Sequence, residues 1–283
     1  MGQNLLLITA AYNEKDTISK LIESVLKQSI KPLRWIIVDD GSTDTTAEIV
    51  HKYQQKHSFI QLEKLTKDAQ THSFGAKVRA LNYAISKLDL SQAEFIGILD
   101  ADIELPDNYF SVLLDRMNND FSLGIAGGDI IPYYNEKYHP RSQNRMWSIA
   151  GAVQMFKMQC FQDIGSAFLN LPYGGEDSAM EIMAQSQNWN TTTFKDLKVI
   201  HFGRVGGKTG LIIRYKKGLG FASLGYHPLF MCFRCLKRWR ESPFLFGSIL
   251  ELIGFFIGKL NKGNPLLNKE SVRYLQHKQL KRF

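Results

Sequence analysis

Asp100 and Asp102 stand two positions apart, directly after the apolar run at residues 95–99. Side chains two positions apart in an extended chain point the same way, so these carboxylates repel each other unless a cation lies between them. Carboxylate oxygens suit Mg²⁺ or Mn²⁺, ions that often bridge to the phosphates of a substrate. The alternative is a surface turn in which Asp102 caps the following helix.

Acidic side chains also follow two other apolar runs. The run at residues 5–11 leads into Glu14, and the run at residues 34–38 leads into Asp39 and Asp40. A single aspartate after a strand is usually a cap or turn residue. Three acidic groups at three strand ends instead indicate a shared binding edge, if the strands are neighbours in one sheet.

A fourth acidic group, Glu176 and Asp177, comes after Gly174-Gly175 and begins a predicted helix over residues 176–187. Acidic residues in a first helical turn interact favourably with the helix dipole and need no catalytic role. The functional alternative is a base. A hydroxyl group is a poor nucleophile, and a carboxylate within hydrogen-bond reach can take its proton.

The elements that must position these groups alternate between strands and helices. Hydrophobic periodicity predicts strands at residues 5–11, 34–38, 59–62, 95–99, 123–131 and 197–200, and helices at 15–28, 44–55, 75–88 and 106–117. Such alternation favours parallel crossovers with helices on both faces of the sheet. The expected fold class is therefore α/β with a mostly parallel central sheet, in which ligands bind beyond the carboxyl ends of the strands.

Four motifs, in this order, resemble the family 2 glycosyltransferases: AAYNE at residues 10–14, VDDGSTD at 38–44, DAD at 100–102 and GGED at 174–177. The resemblance covers about residues 5–201. It implies the GT-A nucleotide-sugar-binding fold. It also implies an inverting enzyme that moves a sugar from a nucleotide-diphosphate donor. We favour a UDP-sugar as the donor, and from the C-terminal part described below we expect a saccharide or lipid-linked acceptor in cell-surface or exopolysaccharide synthesis.

The resemblance further implies roles for individual residues. Asp177 would be the general base, with Glu176 as its support. The nucleotide would be bound by residues of the strand ends and of the helix at 75–88, namely Ala10, Tyr12, Glu14, Asp39, Asp40, Lys77, Arg79, Asp100 and Ala101. A divalent metal, Mn²⁺ or Mg²⁺, would be held by Asp102, Asp100 and His201. For Lys77 and Arg79 the alternative is a solvated helix face, and for His201 a purely structural histidine.

Two departures from the family pattern matter. Ala10 stands where many relatives have proline, which is a mild change. Processive synthases carry Gln-Xaa-Xaa-Arg-Trp after the base, whereas here Cys235 occupies the Gln position before Arg238 and Trp239. We therefore expect the addition of one sugar per visit. Arg204 and Lys208, in a glycine-rich segment, are candidates to close over a diphosphate.

The C-terminal part is basic and apolar. Residues 201–283 hold 16 Lys and Arg but only 3 Asp and Glu, whereas residues 1–200 hold 19 and 24. A helix over 243–260 is apolar almost all round, with Gly247, Glu251, Gly254 and Gly258 on one stripe. Because Glu251 interrupts it, we expect a helix in the membrane interface and not a span. The alternative is a helix packed on the catalytic domain through its glycines.

These patterns predict a GT-A catalytic domain at 1–205 and a helical C-terminal extension at 206–283. Three cysteines among 283 residues do not form a disulfide scaffold, and the N-terminus has no basic region typical of a secretory signal. We expect a cytoplasmic protein, peripheral at the cytoplasmic face of the membrane. Nucleic acid is not expected as a partner, because the aromatic residues are clustered with aliphatic ones.

Two other functions are compatible with the same residues. The first is a non-catalytic, glycosyltransferase-like scaffold that binds a nucleotide at a membrane surface. The second is a nucleotidyltransferase, which also places acidic metal ligands on an α/β sheet but has no need of a Gly-Gly-Glu-Asp loop.

Overall fold

The structure is a computed structural model that describes residues 4–66, 75–139, 148–203, 210–240, 244–262 and 265–282. The strands are β1 Leu5–Ala11, β2 Arg34–Asp39, β3 Ile60–Lys64, β4 Phe95–Leu99, β5 Ile103–Glu104, β6 Leu123–Tyr134, β7 Lys137–Tyr138, β8 Val153–Lys157 and β9 Asn190–Phe202. The helices are α1 Ile18–Lys27, α2 Thr46–Gln54, α3 Gly75–Ser86, α4 Tyr109–Asn119, α5 Met158–Asp163, α6 Glu176–Ser186, α7 Leu211–Ser223, α8 Pro228–Lys237, α9 Phe246–Lys262 and α10 Lys269–Leu280.

The strands form one sheet in the order β3-β2-β1-β4-β8-β6-β9-β5, with β7 paired to β6. Strands β1 to β4 are joined by parallel pairings, as the alternation of strands and helices predicts. Their carboxyl ends therefore lie at one edge of the sheet, which brings the acidic groups that follow β1, β2 and β4 to the same edge.

The prediction of a mostly parallel sheet is only partly right, because the sheet is mixed. Strand β8 runs antiparallel to both β4 and β6, and β5 runs antiparallel to β9. No described helix lies between β6 and β8, and a parallel pairing needs a crossover connection of the kind that helices usually provide. The strand predicted at 197–200 is the end of the longer β9, which shifts register against β6 beside Asp129.

Hydrophobic side chains pack on both faces of the sheet. Alternate residues of β1 point to opposite sides, so that Leu5 and Leu7 join one core cluster and Leu6 and Ile8 join another. The first cluster includes buried residues of α1 and α4, and the second includes buried residues of α3, α5 and α6. This packing holds the strand ends, and the acidic residues after them, in fixed positions.

Four helices make up the described residues from 210 to 282. Helix α9 lies against α7 through its glycine stripe, because a Cβ on Gly254 would clash with the carbonyl oxygen of Tyr215 and one on Gly258 would meet Ala222. The predicted domain boundary between residues 205 and 206 lies outside the described residues, as do Arg204 and Lys208.

Glu251 lies inside this helix pair and is only 2% exposed. Its two carboxylate oxygens accept from Arg214 of α7 at 3.2 Å and from Arg234 of α8 at 3.1 Å. A buried carboxylate is tolerated when it is paired and hydrogen-bonded. Glu251, the acid that interrupts the apolar helix α9, therefore links it to α7 and α8 through these two contacts.

The two alternatives for α9 concern two different faces of the helix. The glycine face packs on α7, which belongs to the predicted extension at 206–283 and not to the predicted catalytic domain. The opposite face is exposed and apolar, and its members lie three or four residues apart: Phe246, Ile249, Ile253, Phe256 and Leu260. Among the described residues, no helix combines the length and the apolar character needed to cross a bilayer.

Replacing Gly254 by Ala tests the close approach of α9 to α7. Alanine favours a helix over glycine by about 1 kcal/mol, but here its Cβ meets the Tyr215 carbonyl. Overpacking typically costs about 1–3 kcal/mol, so we expect thermal unfolding at a lower temperature than in the parent chain.

Gly210→Ala is the matched control, because a Cβ at that position has no atom of the described residues within 4 Å. It should leave the unfolding temperature within about 2 °C of the parent value, the shift that follows from a change of less than about 1 kcal/mol in a chain of this size. An equal drop for both variants would contradict the proposed contact.

Candidate active site

The end of β2 places two aspartates in a nearly buried position. The backbone N–H of Asp40 donates to Ala11 O at 2.9 Å, which fixes the loop after β2 against the end of β1. The Asp39 side chain accepts from the Ser42 N–H at 3.1 Å and orders the turn. Ala10 lies beside them, paired in register with Val38.

Helix α3 brings two basic residues to the acidic edge. Arg79 donates to Asp40 Oδ1 at 3.2 Å, and Lys77 Nζ lies 2.5 Å from Asp100 Oδ1. Lys77 is also 3.5 Å from the carbonyl oxygen of Gly151. Both basic side chains therefore pair with carboxylates of the acidic edge, although the side chain of Arg79 is also 40% exposed.

The two-residue strand β5 explains how the third candidate metal ligand reaches the other two. Ile103 pairs with His201 in the antiparallel β5–β9 ladder, and the Phe202 N–H donates to Asp102 O at 2.7 Å. As a result, ligand atoms of Asp100, Asp102 and His201 all lie within 4.8 Å of one another. The Nε2 atom of His201 is 3.4 Å from Asp102 Oδ2.

The electrostatics of this cluster favour a cation. Burial raises the pKa of Asp102 to about 6, and the charge of Asp100 adds to the rise. Burial also raises the pKa of Glu14, with a hydrogen bond from Thr17 opposing it. Burial lowers the pKa of His201, which keeps its ring neutral and able to bind a metal.

The residues present fit a divalent metal. Two carboxylates and one imidazole are a donor set that Mn²⁺ accepts, and Mg²⁺ is suited to the carboxylates. The Nδ1 atom of His201 is buried and has no hydrogen-bond partner among the described residues. The other ring nitrogen, Nε2, is the one that lies 3.4 Å from Asp102 Oδ2 and is placed to bind an ion shared with that carboxylate.

Glu176 and Asp177 begin α6, as predicted, and face the same space. Gly174 and Gly175 hold φ values of 76° and 96°, which glycine adopts without the strain of a side chain. The Ser178 N–H donates to Asp177 Oδ1 at 2.7 Å. Burial and then Asp177 raise the pKa of Glu176.

Lys77 interacts both with the acidic residues at the strand ends and with the two acidic residues that begin α6. Burial works against its charged form, but the carboxylates of Asp100, Glu176 and Asp177 outweigh burial and raise its pKa. The strand-end acids and the α6 acids therefore belong to one electrostatic unit, which the sequence motifs alone do not establish.

Other residues take different positions. Tyr12 is exposed beyond the end of β1, whereas the Ala101 methyl group is buried in the core between the two aspartates. Gly151 was missed by sequence reasoning. A Cβ at Gly151 would lie 2.9 Å from Asp177 Oδ2, so glycine makes room for that carboxylate. A lone glycine in an apolar segment gives no signal of this role.

Comparison with known proteins identifies the class. The protein-family model for glycosyl transferase family 2 matches residues 6–183. The chain belongs to this family, which confirms the resemblance seen in the four motifs, and it is a family 2 glycosyltransferase.

Two relatives are poly-β-1,6-N-acetyl-D-glucosamine synthases, one from Staphylococcus aureus (strain MSSA476) and one from Staphylococcus epidermidis. Each is 28% identical to this chain over 152 residues, which make up 54% of this chain and 32% of the relative. The match therefore spans about a third of the length of these synthases.

Similar solved structures support the fold. A structure of S. aureus TarS 1-349 in complex with UDP-GlcNAc has a TM-score of 0.59 at 15% identity, covering 92% of this chain and 73% of TarS 1-349. The mannosyltransferase PcManGT from Pyrobaculum calidifontis, in complex with GDP-Man and Mn²⁺, has a TM-score of 0.57 at 16% identity, covering 99% of this chain and 81% of PcManGT. At these identities the likeness shows the fold.

Manganese should tighten the binding of UDP, and Asp102→Asn and His201→Ala should each remove that gain. Loss of even an outer partner of a metal ligand typically weakens metal binding about 10–100-fold, so loss of a ligand should do at least as much. Calorimetric titration of UDP with and without manganese measures both effects.

Asp107→Asn is the matched control, an exposed aspartate five positions after Asp102. It should bind UDP and manganese as the parent chain does. A manganese effect that survives Asp102→Asn would rule out the assigned metal site.

Proposed function

We propose that this chain is an inverting glycosyltransferase that moves a sugar from a UDP-sugar to a saccharide or lipid-linked acceptor in cell-surface or exopolysaccharide synthesis. The observation that carries the proposal is the position of Lys77. Its ammonium group pairs with Asp100 on the donor side and interacts with Asp177 on the α6 side. A donor diphosphate and an acceptor hydroxyl would therefore meet at one place.

The donor side would be built by the strand ends. Asp39, Asp40 and Ala10 would line the nucleoside pocket, with Tyr12, Glu14, Arg79 and Ala101 around it. Asp100, Asp102 and His201 would hold Mn²⁺ or Mg²⁺. When bound, the ion would stabilise the negative charge that develops on the leaving diphosphate.

The acceptor side would depend on Asp177. As the acceptor oxygen forms its bond to the anomeric carbon, the hydroxyl proton passes to the Asp177 carboxylate, and the bond to the diphosphate oxygen breaks on the opposite face. Glu176 would support the base, and Gly151 leaves room for it. The incomplete motif at Cys235, Arg238 and Trp239 supports one transfer per visit.

Asp177→Asn should abolish transfer while leaving UDP affinity nearly unchanged. An amide cannot accept the proton, and general base catalysis typically contributes about 10²–10⁴-fold in rate. UDP release from UDP-GlcNAc, UDP-glucose and UDP-galactose measures turnover, and calorimetry measures UDP affinity.

Asp115→Asn, at an exposed position on α4, is the matched control and should keep full turnover. Equal loss of turnover and UDP affinity in Asp177→Asn would contradict the base assignment. UDP binding by the parent chain without turnover of any donor would favour the non-catalytic scaffold.

We further propose that the catalytic domain at 1–205 is held at the cytoplasmic face of the membrane by the extension at 206–283. The exposed apolar face of α9 supports this, because an apolar helix face on a protein surface marks an interaction site. Lys237, Arg240 and Lys259 are exposed near it, and each basic residue adds about 1 kcal/mol beside anionic lipids.

Replacing Phe246 and Leu260 by Glu should release the protein from vesicles that contain phosphatidylglycerol. The two side chains are 69% and 83% exposed. Burial of one large apolar side chain contributes about 1.5–3 kcal/mol, so partitioning should fall at least about tenfold. Co-sedimentation with vesicles measures it.

Phe121→Glu is the matched control, since Phe121 is 87% exposed but lies between α4 and β6. It should bind vesicles as the parent chain does. Unchanged sedimentation of the α9 variant would show that this face does not contact lipid.

A further inference from the structure

A cavity of about 310 Å³ lies between α6 and the C-terminal helices. Its walls come from α6, α7, α8 and α10, so it is separate from the edge of the sheet where the strand-end acids lie. Helix α10 closes it, because Tyr274 and Lys278 both donate to Gln185 Oε1, at 3.5 Å and 2.7 Å.

The cavity lies along the face of α6 that carries Glu181, one helical turn from the proposed base Asp177, which itself is not part of the wall. Ser178, Glu181 and Gln185 line it and lie on one face of α6, at intervals of three and four residues. Ser178 directly follows Asp177, and Gln185 is seven residues farther, so the lined face extends about 10 Å along the helix. A molecule in this cavity would lie beside the helix that carries Asp177.

Aromatic rings form part of the wall. Phe221, Tyr226, Phe230 and Tyr274 line the cavity, and the Tyr226 ring lies 4.7 Å from Phe221 and 6.0 Å from Phe230. Rings of this kind offer flat apolar surfaces on which the C–H face of a pyranose can pack. Aromatic walls with a few placed polar groups are typical of sites for small polar ligands.

The charged groups in the wall favour a negative ligand. Lys278 and Arg282 of the C-terminal segment both line the cavity, as does Arg234, which is already paired with Glu251. Glu181 is the acidic group in the wall. Its carboxylate accepts from the Ile149 N–H at 2.7 Å.

The protonation state of Glu181 adds to this excess of positive charge in the cavity wall. Burial, and then the charge of Asp177, raises its pKa to about 8. At neutral pH this carboxyl group is therefore mostly protonated and does not cancel the basic groups. It can then donate a hydrogen bond to a ligand oxygen.

We propose that this cavity is an acceptor subsite that binds a negatively charged pyranose, a sugar that carries a phosphate or a carboxylate. The proposal deepens the proposed function and rests on it, because the subsite has meaning as an acceptor site only if Asp177 acts as the base. Lys278 and Arg282 recognise the charge, and the aromatic wall holds the ring.

Titration of the full chain with glucose 6-phosphate, glucuronate and glucose tests the proposal by ligand-observed NMR. We expect at least one of the two charged sugars to bind at least about tenfold more tightly than glucose, a difference of about 1.4 kcal/mol. The double variant Lys278→Gln/Arg282→Gln should lose this preference. Phe230→Leu should weaken all three sugars to a similar extent, because it removes a ring and no charge.

The matched control is Lys269→Gln/Arg273→Gln, which removes the same charge from exposed positions of α10 outside the cavity wall. It should keep the preference. Equal binding of glucose and the charged sugars, or equal loss in both double variants, would overturn the proposal. Inorganic phosphate that binds as tightly as glucose 6-phosphate would overturn its saccharide part.

Comparison of the two charged sugars shows which charged group is recognised, since binding of one alone identifies it as the phosphate or the carboxylate. UDP titration with manganese tells failure of the subsite from failure of the proposed function. Normal UDP binding with no preference among the sugars rejects the subsite alone. A charge preference in a chain that binds no UDP rejects the proposed function and, with it, the acceptor role.

Discussion

The mutual repulsion of carboxylates at one edge of the sheet is the constraint on which the rest of the structure depends. Two unit charges 4–5 Å apart repel by about 3–4 kcal/mol at an effective dielectric constant of about 20. Carboxylate oxygens of Asp100 and Asp102 are this close. Glu14 interacts electrostatically with both aspartates, and Glu176 and Asp177 interact electrostatically with Lys77. The repulsion is offset by the partly exposed cation Lys77, which pairs with Asp100, and by a cluster of donors that suits a second cation. A nucleotide diphosphate would bring more negative charge, which a metal ion held by this cluster would offset.

The geometry of the edge comes from short, specific contacts. The two-residue strand β5 turns the chain back on itself directly after Asp102 and pairs with the end of β9, which places His201 beside the aspartates. Gly151 does the same for Asp177 by the absence of a side chain. Each contact involves only one or two residues, but each decides whether a ligand atom faces the site. The large cores on the two faces of the sheet make it rigid, and these small contacts orient the side chains of His201 and Asp177 toward the site.

The sequence predicts the first half of the fold well, because β1 to β4 and their helices follow local periodicity. It also predicts the start of α6 at Glu176 and the acidic edge, since parallel strands put their carboxyl ends together. It misses the reversal at β8, for which the five residues Val153–Lys157 carry no signal of direction. The family resemblance implies that His201 joins Asp100 and Asp102, but periodicity and motif spacing alone do not bring His201 to Asp102 or Lys77 to both acidic groups, because these contacts join residues far apart in the chain.

The C-terminal helices show how one apolar, basic segment can serve two purposes. One face of α9 packs on α7 through its glycine stripe. Glu251, on the same face, forms ion pairs with Arg214 of α7 and Arg234 of α8. The other side chains of these helices fall into two groups according to where they lie. Those on the outer face of α9 are apolar and exposed, whereas Phe221, Phe230 and Arg234 on α7 and α8 line the cavity beside α6. A lipid-facing surface and an acceptor subsite on the same group of helices would bring a membrane-bound acceptor to Asp177 without a separate domain. This arrangement gives a physical reason why the acidic body of the chain is joined to a basic, aromatic end.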